Sequence, residues 1–218
     1  MKNVIAIDGP GGAGKSTIAK LLAKKINYLH LDTGAMYRAV TWAALKKNID
    51  FKDEEKIIKI AEKSKIIFDQ QGNIFLNGKN ISQEIRNNKV NQYVSQVAAI
   101  KGVRDLLVEK QQDIAKKNKV VMDGRDITTV VLPKAEYKFY LTASLAERAK
   151  RRYQQEKVKN KNADLKQIKA SIARRDKLDK EREHSPLKKA EDARLIDTTN
   201  LSIEQVMSKM IEIIEGEI

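Results

Sequence analysis

Short apolar runs alternate along the chain with longer stretches in which apolar positions recur every three or four residues. Asn3 to Asp8 is a mostly apolar run that closes on a glycine-rich turn, the pattern of a buried strand. From Ser16 onward Ile18, Leu21, Leu22 and Ile26 fall at helical spacing. Tyr28 to Leu31 reads as a second strand. It leads through Asp32-Thr33-Gly34 into a helix that runs to Leu45, with Met36, Val40, Ala43 and Ala44 available for packing. Residues 54–63 form a charged amphipathic helix. Lys65–Phe68 and Asn73–Leu76 are β-prone runs on either side of a polar turn containing Gly72, a hairpin pattern, and Asn77-Gly78 marks a further turn. The periodicity then predicts one helix from about Asn91 to Ile114. Strand–helix alternation resumes at Lys119–Met122, which ends on Asp123-Gly124, and continues at Tyr137–Leu141. Ala193–Ile196 is the last predicted strand and Ile203–Ile214 the terminal helix.

Strands alternating with helices indicate an α/β protein whose parallel sheet is covered on both faces. The hairpin breaks that rhythm. It marks residues 63–100 as an insertion into a core formed by 1–62 and 101–218, in keeping with a 218-residue chain of one large domain. The polar run Lys157–Asp164 is the expected mobile loop. There is no cysteine, which excludes a disulfide framework, a thiolate metal site and a cysteine nucleophile. No apolar run approaches the length of a membrane span, and the short stretch before Asp8 does not read as a signal peptide. A cytoplasmic protein with no membrane partner is therefore expected.

Charge sharpens the picture. Lys and Arg number 43 against 29 Asp and Glu, a net +14, and such an excess points to polyanionic partners. Between Leu145 and Arg194 stand 17 basic and 9 acidic residues. Tyr153 is the one aromatic in that stretch, so the stacking platforms of single-strand nucleic-acid binders are not evident. Most of the lysines read as a solvated surface, but the arginines have a pattern.

Gly9-Pro10-Gly11-Gly12-Ala13-Gly14-Lys15-Ser16 satisfies G-x-x-x-x-G-K-[ST] between a strand and a helix, with Thr17 next in line. Glycines let the backbone wrap a phosphate, and the helix directs its positive end at the same place. Lys15 reaches the outer phosphates, and Ser16 is the candidate ligand for a Mg²⁺ ion otherwise held by phosphate and water. The guanine-reading N-K-x-D tetrad is absent, because Asn160-Lys161 is followed by Ala163 where the aspartate belongs.

Three further segments carry charge toward the same sheet edge, where ligands of open α/β sheets bind. In Asp32-Thr33-Gly34-Ala35-Met36-Tyr37-Arg38, Arg38 lies about one turn into a helix, within reach of an anion. A simple helix cap with a solvated arginine fits that segment equally. In Asp123-Gly124-Arg125-Asp126 the aspartate at the strand end suits a metal-bound water and Arg125 suits a phosphate, while a glycine turn with local ion pairs also fits. In the third segment Leu165, Ile168 and Ile172 form an apolar stripe that Arg175, Asp179 and Arg182 continue at the same helical phase. A core-facing stripe that turns charged enters either solvent or a cleft holding an anion. Arg148 and Arg152 share a face upstream. With the flexible polar loop they suggest a lid over about 148–182 that closes on the transferred phosphate.

These residues together resemble the bacterial cytidylate kinases, within the nucleoside-monophosphate kinases. The resemblance runs along essentially the whole chain: Ile5-Ala6-Ile7-Asp8-Gly9-Pro10, Leu31 to Arg38, Ser95-Gln96-Val97-Ala98-Ala99, Val121 to Ile127, Arg175-Asp176 through Arg182, and Asp197-Thr198-Thr199. It implies a P-loop nucleoside-monophosphate kinase fold with a five-stranded parallel core sheet, and a monophosphate-binding insertion where the hairpin falls. It also implies ATP with Mg²⁺ as donor and CMP or dCMP as acceptor. By the same resemblance Thr33, Arg104 and Asp126 lie at the cytosine, and Ser95, Arg175 and Asp179 at the sugar. Arg38, Arg125 and Arg182 take the acceptor phosphate, and Arg148 and Arg152 the ATP side. Thr33 stands where some members have serine, and Leu178 and Lys180 where some have arginine. A kinase for another monophosphate such as UMP is the nearest alternative, and a P-loop nucleic-acid-binding ATPase the alternative of a different class. The expected partners are nucleotides rather than nucleic acid, and the expected state is a monomer.

Overall fold

The computed structural model describes residues 3–69, 71–158 and 163–216. Among these residues five strands form one parallel sheet: β1 (Val4–Asp8), β2 (Leu29–Asp32), β6 (Val120–Asp123), β7 (Tyr137–Thr142) and β8 (Arg194–Asp197), in spatial order β2-β6-β1-β7-β8. Alternation along the central strand explains its place. Val4 and Ala6 face one layer, packed with Leu31, Met36, Val40, Leu107 and Met122. Ile5 and Ile7 face the other, packed with Ile18, Leu22, Val121, Phe139, Leu141 and Met210. A strand apolar on both sides needs helices on both faces. The first layer is α2 (Thr33–Lys46), α3 (Glu54–Lys63) and α5 (Lys101–Lys117), and the second is α1 (Lys15–Ile26) with α8 (Ile203–Glu215). The register places Asp32 beside Asp123 and Asp123 beside Ile7, and it pairs Thr142 with Asp197. Carboxylates therefore rim the carboxyl edge of the sheet, where the loops carrying the candidate site emerge.

The hairpin is present as β3 (Ile66–Phe68) and β4 (Ile74–Leu76), and β5 (Lys79–Asn80) extends it to a small antiparallel sheet. Asn77 (φ 49°) and Gly78 (φ 84°) are both left-handed, the two-residue turn whose twist suits antiparallel neighbours. A two-residue strand is too short to show periodicity, so only its turn was visible in the pattern.

The helix predicted over Asn91–Ile114 is two helices, α4 (Asn88–Val97) and α5. Val90, Val94, Val97, Ile100, Leu107 and Ala115 are all buried, so the apolar stripe runs in phase across the joint and hides it. The joint itself is polar in origin. Ile100 is extended (φ −67°, ψ 116°), and the freed carbonyl of Ala98 accepts a hydrogen bond from Arg104 Nη1 at 3.1 Å. In α7 (Leu165–Glu181) Ile168 is buried but Leu165 is 44% exposed. The apolar stripe expected from Leu165 thus begins one turn later in α7, which packs against α6 (Leu145–Lys157). The centre of the expected mobile loop, residues 159–162, lies outside the described residues.

A π-helical turn (Ile127–Val131) that the pattern did not predict follows β6. Asp8, at the end of β1, accepts from Ile127 N (2.9 Å), Thr128 N (2.7 Å) and Thr128 Oγ1 (2.6 Å). Burial outweighs these donors and pushes its pKa up to about 6. Asp8→Ala strands two buried N–H groups, and the expected cost is about 3 kcal/mol, read from urea unfolding. Asp8→Asn, which keeps one acceptor, should lose about half as much, and an unchanged midpoint for Asp8→Ala would mean the turn is held by other contacts.

Candidate functional site

The P-loop begins at Gly9, whose φ is 144° and where an added Cβ would stand 1.9 Å from the Leu141 carbonyl oxygen. Only glycine lets the loop leave β1 against β7. Gly14 (φ 89°) turns the chain into α1. Other residues brace the loop from below. Thr198 Oγ1 donates to Ala13 O at 3.2 Å, and Arg151 donates to Thr198 through both Nη atoms, at 3.0 Å to Oγ1 and 2.6 Å to the carbonyl. Arg148 donates to Gly11 O (3.0 Å), Ala143 O (3.0 Å) and Asp176 (2.6 Å). Its guanidinium is therefore buried beneath the loop with acceptors on several sides, rather than open to the cleft as the lid pattern suggested. Helical phase placed it on the same face as Arg152, but the Gly11 carbonyl that draws it beneath the loop lies 137 positions away. Asp176 and Thr198 stand within motifs of the resemblance but were given no role, and Arg151 was given none either, because the contacts that define their roles run to residues far along the chain.

Lys15 is buried, and its Nζ donates to Pro10 O at 2.8 Å. Burial, aided by the Arg125 charge, pushes its pKa down to about 7. Ser16 Oγ donates to Asp123 Oδ2 at 2.6 Å, and His30 Nε2 stands 2.8 Å from Asp123 Oδ1. Burial works against the Asp123 carboxylate. Hydrogen bonds from His30 and Ser16, with the Lys15 charge, nevertheless hold its pKa below the ordinary value. Thr33 Oγ1 donates to the Asp123 carbonyl at 2.8 Å. Thr17 is exposed at the start of α1.

Facing the loop is a concentration of arginine. Arg125 donates to Asp179 at 2.8 Å, and Arg175 stands 4.0 Å from the same carboxylate. Burial pulls the Arg175 pKa down to about 9, and Arg125, Arg38 and Arg152 push in the same direction. Arg38 is lowered by burial and by the charges of Arg86, Arg125 and Arg152. Arg175 Nε and Arg182 Nη2 are buried with no hydrogen-bond partner among the described residues. Arg152 pairs with Glu156 (2.7 Å) on its own helix and is only partly buried. Ser95 is half-buried on α4, which packs against α7.

Beside this cluster Arg104 pairs with Asp126 in a buried ion pair and lies over the Tyr37 ring at 5.5 Å. Arg182 approaches the other oxygen of Asp126 at 3.5 Å and donates to Ser185 O at 2.6 Å. Thus the P-loop, the arginine cluster and the Arg104–Asp126 pair gather at the carboxyl edge of one sheet.

A P-loop closing on arginines across a parallel sheet defines a P-loop kinase. Residues 5–216 match the family described as cytidylate kinase, and the chain belongs to that family. It is 51% identical over 215 residues to cytidylate kinase of Bacillus cereus (strain ATCC 10987 / NRS 248), covering 97% of this chain and 96% of the relative. The identity and coverage are the same for the cytidylate kinase of Bacillus thuringiensis (strain Al Hakam). Two solved structures share the fold at low identity. One is an uncharacterized protein from Eubacterium ventriosum ATCC 27560 (TM-score 0.57, 14% identity, 97% of this chain and 98% of that one). The other is shikimate kinase from Acinetobacter baumannii (TM-score 0.50, 17% identity, 98% and 93%).

Because the buried Lys15 ammonium titrates near pH 7 in the free protein, a bound polyphosphate should restore its charge by taking up a proton. Calorimetry of ADP binding in buffers of different ionisation enthalpy should show uptake that grows from about pH 6.5 to about pH 8. Lys15→Arg, always charged, should abolish it. Buffer-independent heats for the native protein would place the Lys15 pKa well above this range.

Proposed function

We propose that this chain transfers the γ-phosphoryl group of ATP to CMP and dCMP, giving CDP and dCDP, as a monomer in the cytoplasm. The observation that carries the reading is that Arg175 Nε and Arg182 Nη2 are buried and make no hydrogen bond among the described residues, each held only by a longer ion pair to Asp179 or Asp126 and set among arginines that depress one another. Buried guanidinium N–H groups that make no hydrogen bond are costly, and a dianionic monophosphate would supply the missing acceptors. Residues 9–17 hold the ATP phosphates. Arg38, Arg125 and Arg182 hold the acceptor phosphate, Ser95, Arg175 and Asp179 the sugar, and Thr33, Arg104 and Asp126 the base. Residues 63–100 form the monophosphate-binding insertion.

No side chain need act as a strong base. The acceptor phosphate is already anionic and attacks the γ-phosphorus in line, so positioning and charge neutralisation supply the catalysis. Lys15 leaves the Pro10 carbonyl for the outer phosphates. Arg152 and Arg175 close on the transferred group, and closure excludes water that would hydrolyse ATP. Arg148 acts from beneath, holding the Gly11 carbonyl so that the loop N–H groups face the phosphates. Ser16 and the ionised Asp123 offer hard oxygen donors suited to Mg²⁺, the rest of whose ligands would be phosphate and water. When bound, that ion neutralises charge on the donor phosphates.

An ADP-release assay with ATP·Mg²⁺ against CMP, dCMP, UMP, AMP and dTMP should give the highest kcat/KM for CMP and dCMP. Dominance of UMP or AMP would redraw the acceptor site while leaving the P-loop half. Lys15→Ala and Arg182→Ala should each lower turnover by about 10³-fold or more with the circular-dichroism spectrum unchanged. A wild-type kcat in either folded variant removes that residue from the mechanism.

A further inference from the structure

His30 lies outside every motif, yet it occupies a pivotal place. It sits on β2 with its side chain 11% exposed, and its Nε2 is 2.8 Å from Asp123 Oδ1. The other oxygen of the same carboxylate accepts the Ser16 hydroxyl at 2.6 Å. A carboxylate held at one oxygen can swing about its last torsion; one held at both cannot. A carboxylate accepts, so the hydrogen between them belongs to His30 Nε2. The opposite ring nitrogen faces the hairpin tip, where a Cβ added to Gly72 would come within 3.6 Å of Nδ1. The imidazole is therefore wedged between the insertion hairpin and the carboxylate beside the P-loop.

This arrangement leaves acceptor capacity open on both Ser16 and Asp123. The Ser16 hydrogen is spent on Asp123, so the hydroxyl lone pairs remain. Each Asp123 oxygen accepts one hydrogen bond and keeps capacity for another. Two fixed acceptors with open lone pairs, adjacent at the start of α1, are what a hydrated cation on a polyphosphate requires.

We propose that His30 is a positioning residue for the divalent cation that accompanies the nucleotide: by clamping Asp123 it fixes the orientation in which Asp123 and Ser16 receive that ion. The inference rests on the reading of Ser16 and Asp123 as the cation's protein donors. Groups that orient a metal-binding carboxylate typically govern affinity about 10–100-fold.

The test is ADP binding by calorimetry, with excess EDTA and with increasing Mg²⁺. For the native protein Mg²⁺ should tighten binding. His30→Leu should leave the affinity in EDTA unchanged while losing about 10-fold or more of the Mg²⁺-dependent gain. His30→Gln, whose amide still donates, should keep part of it, and it serves as the readout if the leucine variant does not fold. A purely structural role would weaken binding equally with and without Mg²⁺, and that outcome overturns the proposal. So does a His30→Leu protein whose Mg²⁺ response is native while Asp123→Asn has lost its own; in that case the cation reading survives. If Asp123→Asn also responds to Mg²⁺ normally, the cation reading itself fails.

Discussion

Repulsion among buried cations is the constraint around which this molecule is built. Lys15, Arg38, Arg125, Arg175 and Arg182 converge on one cleft, and burial pulls on every one of them. At Arg125 alone burial is outweighed, by Asp179 together with Asp176 and Asp123, and its pKa stands above the ordinary value. Removing such charges from water costs several kcal/mol each unless partners are supplied. Asp123, Asp126 and Asp179 offset part of this, and the guanidinium atoms that make no hydrogen bond among the described residues leave capacity for an outside anion. The same unbalanced charge that taxes the free fold is thus the source of its affinity for phosphates.

Holding so many like charges together requires rigid support, and the sheet edge provides it. Asp8 ends the central strand and fastens the turn that follows Arg125 and Asp126. Thr198, next to the end of β8, fastens the P-loop at Ala13, and Arg148 fastens it at Gly11. Each tie joins residues more than a hundred positions apart. The parallel topology brings those distant strand ends together, so donor-side and acceptor-side groups hang from one frame. Arg104 extends the frame into the insertion. It caps the end of α4 at Ala98 and pairs with Asp126, linking the helix that carries Ser95 to the turn that carries Arg125.

What the sequence made legible was whatever is local or periodic. The P-loop is contiguous and its glycines, lysine and serine can be read directly. Strand order aside, the alternation of Val4 to Ile7 and the helical spacing of Ile18 and Leu22 already imply a two-layered cover. Arg175, Asp179 and Arg182 were visible because they continue one helical stripe. The joint between α4 and α5 was not, since the apolar stripe passes through it in phase and the guanidinium that takes the freed Ala98 carbonyl leaves no periodic trace. His30 gave no signal because its partner is 93 positions away. Arg148 was visible as an arginine, but the carbonyl of Gly11 that determines its direction was not.

Gly9 has a consequence for how this chain can change over generations. Any single-nucleotide change in a glycine codon that alters the residue installs a side chain with a Cβ. Here that carbon would meet the Leu141 carbonyl at a distance no packing adjustment absorbs. To admit it, β1 and β7 would have to part at the rung just above Asp8 and Tyr140, in the centre of the sheet. The codon is therefore locked by the meeting of two strands before any nucleotide enters. Drift at this position is closed off even to a descendant that had lost its catalytic role, as long as it keeps this sheet.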